Sequence, residues 1–383
     1  MVWKKSSMLK STISFHQQIC PDLTTGESIR SQTDRGYSSM DIPSIVRNGA
    51  KLAIIIPVYN TARYVDEMMQ DLLNQTFRDY LIFLIDDGSI DNSLAILSKF
   101  AAKDTRVHVL SKPNGGPSSA RNVGLDFITS EGMQFDYIWF CDSDDRIELS
   151  ALEKVMTILE CAEADYGLFS VRKFDKQAST TYPAHIFKEE VLDNEAIVKQ
   201  YFRFGRKWRK EPCSEAFLNN KIFRFDLIQD LRFREDIRRS EDFDFFFRLL
   251  PRLQHGVLVP DVFYMYRLRK SSLTNAYEQT GDLIVCSTHY PALKNRTCVE
   301  QVAMQHRLIR AYYLDICQAW NTKDESKFQN LLLKFSKLKL NYPFMWKDLK
   351  ILALLGPLKV FLPMFIRFRN RTKKNRDVSN YYD

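Results

Sequence analysis

The chain has no C-x-x-C pair, and its seven cysteines (Cys20, Cys141, Cys161, Cys213, Cys286, Cys298 and Cys317) are scattered over 383 residues. An odd, dispersed set suggests neither a disulfide framework nor a zinc ribbon. The six histidines form no H-E-x-x-H or other paired spacing, and no G-x-S-x-G elbow is present, so zinc-protease and serine-hydrolase chemistry lack support. No G-x-G-x-x-G follows the first strand-like run and no P-loop lysine motif occurs, which argues against a standard dinucleotide or ATP site. With only 13 Gly and 13 Pro, collagen-like and low-complexity architectures are excluded. The opening residues 1–10 carry charge without an apolar segment behind them, so no secretory signal is read and a reducing cytoplasm is expected.

What remains is the composition of a globular chain: 45% hydrophobic, 27% charged, mean hydropathy −0.30, and rich in aromatics with 27 Phe and 17 Tyr. The net charge of +8 is unevenly spread. Residues 327–376 hold 13 Lys and Arg against the single acid Asp348, a local charge of +12 that leaves the rest near −4.

Residues 1–50 are polar and aperiodic and read as an extension. From Lys51 the pattern sharpens. Residues 52–56 form an apolar β-branched run closed by Pro57, as in a buried parallel strand. Helical spacing follows over 63–74, a second strand over 81–85, a helix over 93–100, and a third strand over 107–110. A helix over 118–128, a fourth strand over 137–141 and a helix over 152–159 complete the series. Such alternation predicts a doubly wound, mostly parallel sheet. From residue 166 to 272 the alternation is less regular, and from 327 onward the chain reads as helical and basic.

Four constellations carry chemistry. Asp86-Asp87-Gly88-Ser89 follows the second strand and, alone, reads as a strand-to-helix turn. Asp142-Ser143-Asp144-Asp145 follows the fourth; three carboxylates in four residues repel one another and are better explained by a neutralising cation. All-oxygen ligands favour Mg²⁺ or Mn²⁺ over zinc. Both clusters lie at carboxyl ends of parallel strands, the edge where open α/β sheets bind ligands. Asn114-Gly115-Gly116-Pro117 reads as a Gly-Pro turn with a serine cap or as a loop that lets a ligand approach; Arg121 in the first turns of the helix, disfavoured there by the helix dipole, favours a functional partner within reach. Ser240-Glu241-Asp242-Phe243-Asp244 opens a helix that Ser240 would cap, with Phe243, Phe246, Phe247 and Leu250 along one face; acids in a first turn need no further reason.

Taken together with Ile54-Ile55-Ile56-Pro57-Val58-Tyr59-Asn60, these motifs occur in an order and approximate spacing that resemble the family 2 glycosyltransferases, a large family with the GT-A fold. The similarity covers roughly residues 51–274, and Tyr264-Met265-Tyr266-Arg267-Leu268-Arg269 looks like the stretch after the family's catalytic helix. The resemblance implies an inverting, metal-dependent transferase that takes a sugar from a nucleotide sugar, a UDP-sugar by family inference. By analogy Pro57, Tyr59, Asp87 and Arg121 line the nucleoside pocket and Asp142 faces the ribose or donor sugar. Asp144 holds the metal on the diphosphate with Asp145 close by, and Arg269 lies near the diphosphate. Asp242 is the general base, with Glu241 the alternative. The chain is then a GT-A domain over 51–275 between a polar extension (1–50) and a helical, basic C-terminal region (276–383).

Outside that domain, residues 351–366 are apolar but broken by Gly356-Pro357, Lys359 and Pro363, short of the ~20 residues a spanning helix needs. Arg367, Arg369, Arg371, Lys373, Lys374 and Arg376 follow, a pairing that suits peripheral contact with an anionic membrane at its cytoplasmic face. Residues 201–210 interleave five basic residues with aromatics, as in an exposed helix end whose aromatics pack inward or equally in a grip on a phosphorylated acceptor; nucleic acid is not expected as a partner. The acceptor expected is a saccharide or lipid-linked saccharide of cell-surface polysaccharide or glycolipid synthesis. Two other readings stand beside this one. They are a metal-dependent nucleotidyltransferase on the same plan, and a catalytically silent relative that binds membrane or nucleic acid.

Overall fold

The computed structural model describes residues 38–39, 49–175, 180–181, 188–202, 217–269 and 281–341. After a two-residue edge strand β1 (Ser38–Ser39), strands β2 (Leu52–Val58) and β3 (Tyr80–Asp86) run parallel, in register from Leu52 opposite Tyr80 to Val58 opposite Asp86. Their side chains alternate between two cores. Ala53, Ile55, Leu81, Phe83 and Ile85 enter one; Leu52, Ile54, Ile56, Tyr80, Ile82 and Leu84 enter the other. This is the two-residue period of a strand with both faces buried, which is why the sequence shows unbroken apolar runs. Each fully buried Leu or Ile contributes about 1.5–3 kcal/mol relative to exposure.

One core is closed by helices α1 (Val65–Leu73), α2 (Ser93–Ala101) and α4 (Ala151–Cys161), through Met68, Leu72, Leu97, Phe100, Leu152 and Leu159. The other is closed by α3 (Pro117–Ser130), which presses close to β2 at Gly124; a Cβ there would lie 2.9 Å from Ile55 Cγ2. Strands β4 (Val107–Ser111) and β5 (Tyr137–Phe140) flank β3 and β2 in parallel. The expected doubly wound, mostly parallel sheet is therefore present in this half.

The less regular half has a physical reason. Strand β10 (Lys221–Arg224) inserts antiparallel between β5 and β7 (Tyr166–Asp175), and β7 then pairs in parallel with the long strand β11 (His255–Arg267). Strand β6 (Arg146–Ile147) adds to β11, giving the order β1-β4-β3-β2-β5-β10-β7-β11-β6. Short strands β8 (Thr180–Thr181) and β9 (Glu190–Asp193) pair with β7 and β11. An antiparallel insertion breaks the strand–helix rhythm that sequence periodicity follows.

Helices α5 (Asn194–Tyr201) and α6 (Glu241–Leu249) join the α3 face, as do α7 (Gly281–His289), α8 (Cys298–Asn321) and α9 (Glu325–Ser336). The hydrophobic cluster is continuous from Ile55 on β2 to Phe328 and Leu331 on α9. The C-terminal helices thus pack on the same core as the sheet. Most of the polar extension, the basic-aromatic stretch beyond Phe202, and the apolar and cationic tail from residue 342 lie outside the described residues.

One local expectation is corrected. Ser240 precedes α6 but its side chain makes no capping bond; it sits in the left-handed region (φ 60°) and donates to Asp282 Oδ1 at 2.6 Å. The acids in the first turn of α6 offset the missing cap.

Candidate active site

The carboxyl edge of β2, β3 and β5 gathers the motifs. Pro57 and Val58 end β2, and the exposed Tyr59 follows. Asn60, at φ 52°, accepts from the Ile90 amide through Oδ1 and donates its own amide to Ser89 Oγ, pinning the β2 and β3 exits together. Asp86 accepts from the Ser89 amide and from Ser111 Oγ. Asp87 is nearly fully buried. Its Oδ1 accepts from the Gly115 amide and Lys112 Nζ, and its Oδ2 from the Gly116 amide at 2.7 Å. Gly88 (φ 71°) has no room for a side chain, since a Cβ would lie 2.8 Å from the Asn114 nitrogen. Asp87 therefore fastens the glycine loop that starts α3.

Arg121, on α3, is the hub of the crevice. It is 7% exposed, and its guanidinium reaches Asp142 at 3.3 Å, Asp242 at 3.2 Å and Glu241 at 3.5 Å. The unfavourable helix-dipole position noted in the sequence is thus met by three protein carboxylates. Burial opposes the charge, yet Asp242, Asp142 and Glu241 together raise the guanidinium pKa. Phe233 lies beneath it, with the guanidinium carbon 5.3 Å from the ring centre. Its Nε is buried without a partner.

The three acids after β5 diverge. Asp142 accepts from Arg121 and, through Oδ2, from Asn219 Nδ2 at 3.0 Å, and its amide donates to Tyr264 Oη. Asp144 is 14% exposed and pairs with Arg269. Asp145 is fully buried and accepts from the Arg267 amide at 2.7 Å. Loss of water is the main cause that lifts the Asp144 pKa to about 6, with Arg269 opposing and Asp142 adding to the rise. Burial, then Asp144 and Asp142, push the Asp145 pKa well above the usual carboxylate value, while the Arg267 amide opposes the rise. The mutual repulsion of Asp142 and Asp144 is offset by separate arginines, Arg121 and Arg269.

Asp242 opens α6 beside Arg121 and accepts from the Leu218 amide at 3.4 Å. Withdrawal from water drives its pKa up to about 7; Arg121 opposes that rise, while Glu241 and Asp142 reinforce it. A carboxylate poised near neutrality suits proton removal at physiological pH.

Among the described residues no three His, Cys, Asp or Glu side chains converge on one metal position. The donor set still suits a hard cation bound mainly by a ligand's phosphates. Mg²⁺ typically takes one or two carboxylates, and Asp144, with Asp142 near it, offers them. Asp145, the second carboxylate expected at the metal, is fully buried and accepts from the Arg267 amide.

Three contributors had little or no signal in the sequence. Arg267, 2% exposed on its side chain, donates to the Asp144 carbonyl and to Glu67 and lies over Tyr64 and Phe174. Tyr264 braces the Asp142 amide. Asn219 orients Asp142 while its own carbonyl accepts from Trp139 Nε1. Arg267 and Tyr264 lie in the stretch already singled out before Arg269; Asn219 stands out only as a polar residue ahead of an apolar strand.

The mixed, mostly parallel α/β sheet is that of the GT-A fold. Among solved structures, S. aureus TarS 1–349 in complex with UDP-GlcNAc superposes with a TM-score of 0.56 at 19% identity, over 82% of this chain and 88% of that one. Residues 53–232 match the family described as Glycosyl transferase family 2, so this stretch carries a domain of that family. Glycosyltransferase GlyG of Streptococcus pneumoniae is 27% identical over 58% of this chain and 72% of its own length. A cholesterol galactosyltransferase of Borreliella burgdorferi is 28% identical over 59% of this chain and 62% of its own. The alignment thus leaves more than a third of that second relative unmatched.

Proposed function

We propose that the chain is an inverting glycosyltransferase. It moves a sugar from a nucleotide sugar, a UDP-sugar, to a hydroxyl of a saccharide or lipid-linked saccharide. The observation that carries this reading is the Arg121 bridge between Asp142, on the donor side, and Asp242, on the acceptor side. One cation joins Asp142, after β5, to the Glu241-Asp242 pair that opens α6. The UDP-GlcNAc bound by TarS and the galactosyl transfer in a relative's name support the donor and reaction class.

In this reading Pro57, Tyr59 and Asp87 border the nucleoside, with Asp87 acting by fixing the 112–116 loop. Asp142 meets the ribose or donor sugar. Asp144 holds a Mn²⁺ or Mg²⁺ ion, which when bound supplies Lewis-acid stabilisation of the diphosphate leaving group. Arg269, released from Asp144, adds positive charge where negative charge develops as the sugar–phosphate bond breaks. Asp242 takes the proton of the attacking acceptor hydroxyl, which enters opposite the leaving group and inverts the anomeric centre. Arg121 keeps Asp242 oriented and, by favouring the anion, stops its pKa from rising further. Peripheral contact with an anionic membrane rests on the basic tail, which lies outside the described residues; among the described ones no helix is long and apolar enough to cross a membrane.

Calorimetric titration with UDP, GDP and CDP, each with and without Mn²⁺, tests the donor assignment. Tighter binding of UDP in the presence of metal is expected, followed by release of UDP from a UDP-sugar on turnover. Release of pyrophosphate from a nucleoside triphosphate would instead identify a nucleotidyltransferase.

A further inference from the structure

We propose that Phe217 and Tyr266 form a stacking platform for the acceptor's sugar ring. The inference rests on the reading of Asp242 as the base and assigns the surface that presents a hydroxyl to it. Among the described residues most large aromatics are buried or half-buried, yet Phe217 keeps 40% of its surface in solvent. It stacks on Tyr266, with ring centres 6.3 Å apart and planes 27° from parallel.

Both partners are tied to the crevice acids through their next residues. Leu218 donates its amide to Asp242, and Asn219 donates to Asp142. Arg267 donates to Asp145 and to the Asp144 carbonyl. Lys221 Nζ, buried under the segment, donates to the Phe217 carbonyl and fixes its backbone. The aromatic pair therefore lies one residue from the Asp242 contact, with Tyr266 on β11 and Phe217 in the turn that leads into β10.

The chemistry selects a sugar. An aromatic face carries negative quadrupole density. The C–H face of a pyranose is apolar and weakly positive, while its hydroxyls project from the rim. Stacking buries the apolar face, leaving a rim hydroxyl free to meet the carboxylate. A flat base could stack too, but the residues assigned to the nucleoside lie at β2 and β3, across the crevice.

Saturation-transfer NMR on the full chain, with methyl glycosides of glucose, galactose and N-acetylglucosamine as probes, tests the platform in the presence and absence of UDP and Mn²⁺. Ring-face protons of at least one glycoside should saturate. Phe217→Ala should cut that signal about five-fold, the loss of one aromatic contact, while Phe217→Trp keeps it and UDP affinity stays constant. An unchanged signal in Phe217→Ala, no saturation of any probe in the wild-type chain, or a loss of UDP affinity in its place would overturn the proposal. Saccharide contact through Phe217 without any UDP binding would retain the platform and sink the donor assignment.

Discussion

Arg121 on α3 holds Asp242 on α6 at 3.2 Å, joining two helices 121 residues apart in sequence at the mouth of the crevice. The same guanidinium reaches Asp142 and Glu241, so one buried cation offsets three carboxylates. Removing it leaves those charges facing one another with little solvent. Arg121→Ala is expected to lower stability by about 2–3 kcal/mol, below the full cost of an orphaned buried charge because the acids keep some water. It should reduce kcat/KM about 100-fold. Arg121→Lys keeps the charge but loses the fork that reaches three partners, and should recover stability more than activity. Thermal denaturation alongside initial rates separates the two; a fully active Arg121→Ala would exclude the hub role.

The pH profile follows from Asp242. Its native pKa of about 7 lies far above the ordinary value of about 3.9. As a base it must be deprotonated, so kcat/KM should rise with pH and level off above about 7. The stability consequence has the opposite sense. Between about pH 4 and 7 the native state holds a proton that the unfolded chain has lost, so this group's contribution is complete at low pH and fades as pH rises through 7. Asp242→Asn should abolish transfer and remove this fading term. A wild-type rate profile flat from pH 5 to 8 would sink the base assignment.

How much of this was legible follows from what each signal encodes. The parallel strands were readable because burial on both faces leaves continuous apolar runs such as Ile54-Ile55-Ile56. The acid clusters were readable because strand ends place them at one edge. What the sequence hid are pairings: which arginine answers which acid. Asp144 meets Arg269, Asp142 meets Arg121, and Asp145 withdraws into the fold, although the three acids look alike in a four-residue motif. Such choices are made by β10 and β11, whose antiparallel contacts leave no short-range period. The same holds for Ser240, whose sequence position suggests a cap but whose hydroxyl goes to α7.

That α7 contact makes the C-terminal helices part of the α6 support. Asp282 accepts from Ser240 Oγ and from Arg307, whose guanidinium carbon lies 3.8 Å from the centre of the Phe243 ring. Arg307→Ala removes the cation hydrogen-bonded to Asp282 and is expected to cost about 2 kcal/mol, discounted for partial exposure of both side chains. Because α6 carries Asp242, kcat should fall while UDP affinity holds. Ser240→Gly relieves the left-handed backbone and should be closer to wild type in stability than Ser240→Ala, which keeps that strain and loses the same hydroxyl. Gly281→Ala should be worse than either, since a Cβ would fall 1.8 Å from the Arg239 carbonyl oxygen. Chemical denaturation of the four variants gives the order; an Arg307→Ala protein with unchanged kcat would confine the network to stability.

Asp144 and Asp242 should separate cleanly as metal and proton groups. Asp144 carries its raised pKa, about 6, against the pull of Arg269, so a cation must compete with both a proton and an arginine for the carboxylate. Mn²⁺ enhancement of UDP binding should therefore weaken as pH falls through about 6. Asp144→Ala should lose that enhancement by at least about tenfold at neutral pH and keep weak metal-free binding. Arg269→Ala frees the carboxylate but removes a cation from the diphosphate side, so metal-free UDP affinity should drop while the Mn²⁺ enhancement grows. Asp242→Asn should leave both binding terms intact while turnover disappears. Calorimetry of the three variants with and without Mn²⁺ reads all of this in one experiment, and an Asp144→Ala protein that retains the full metal effect would move the cation to other ligands.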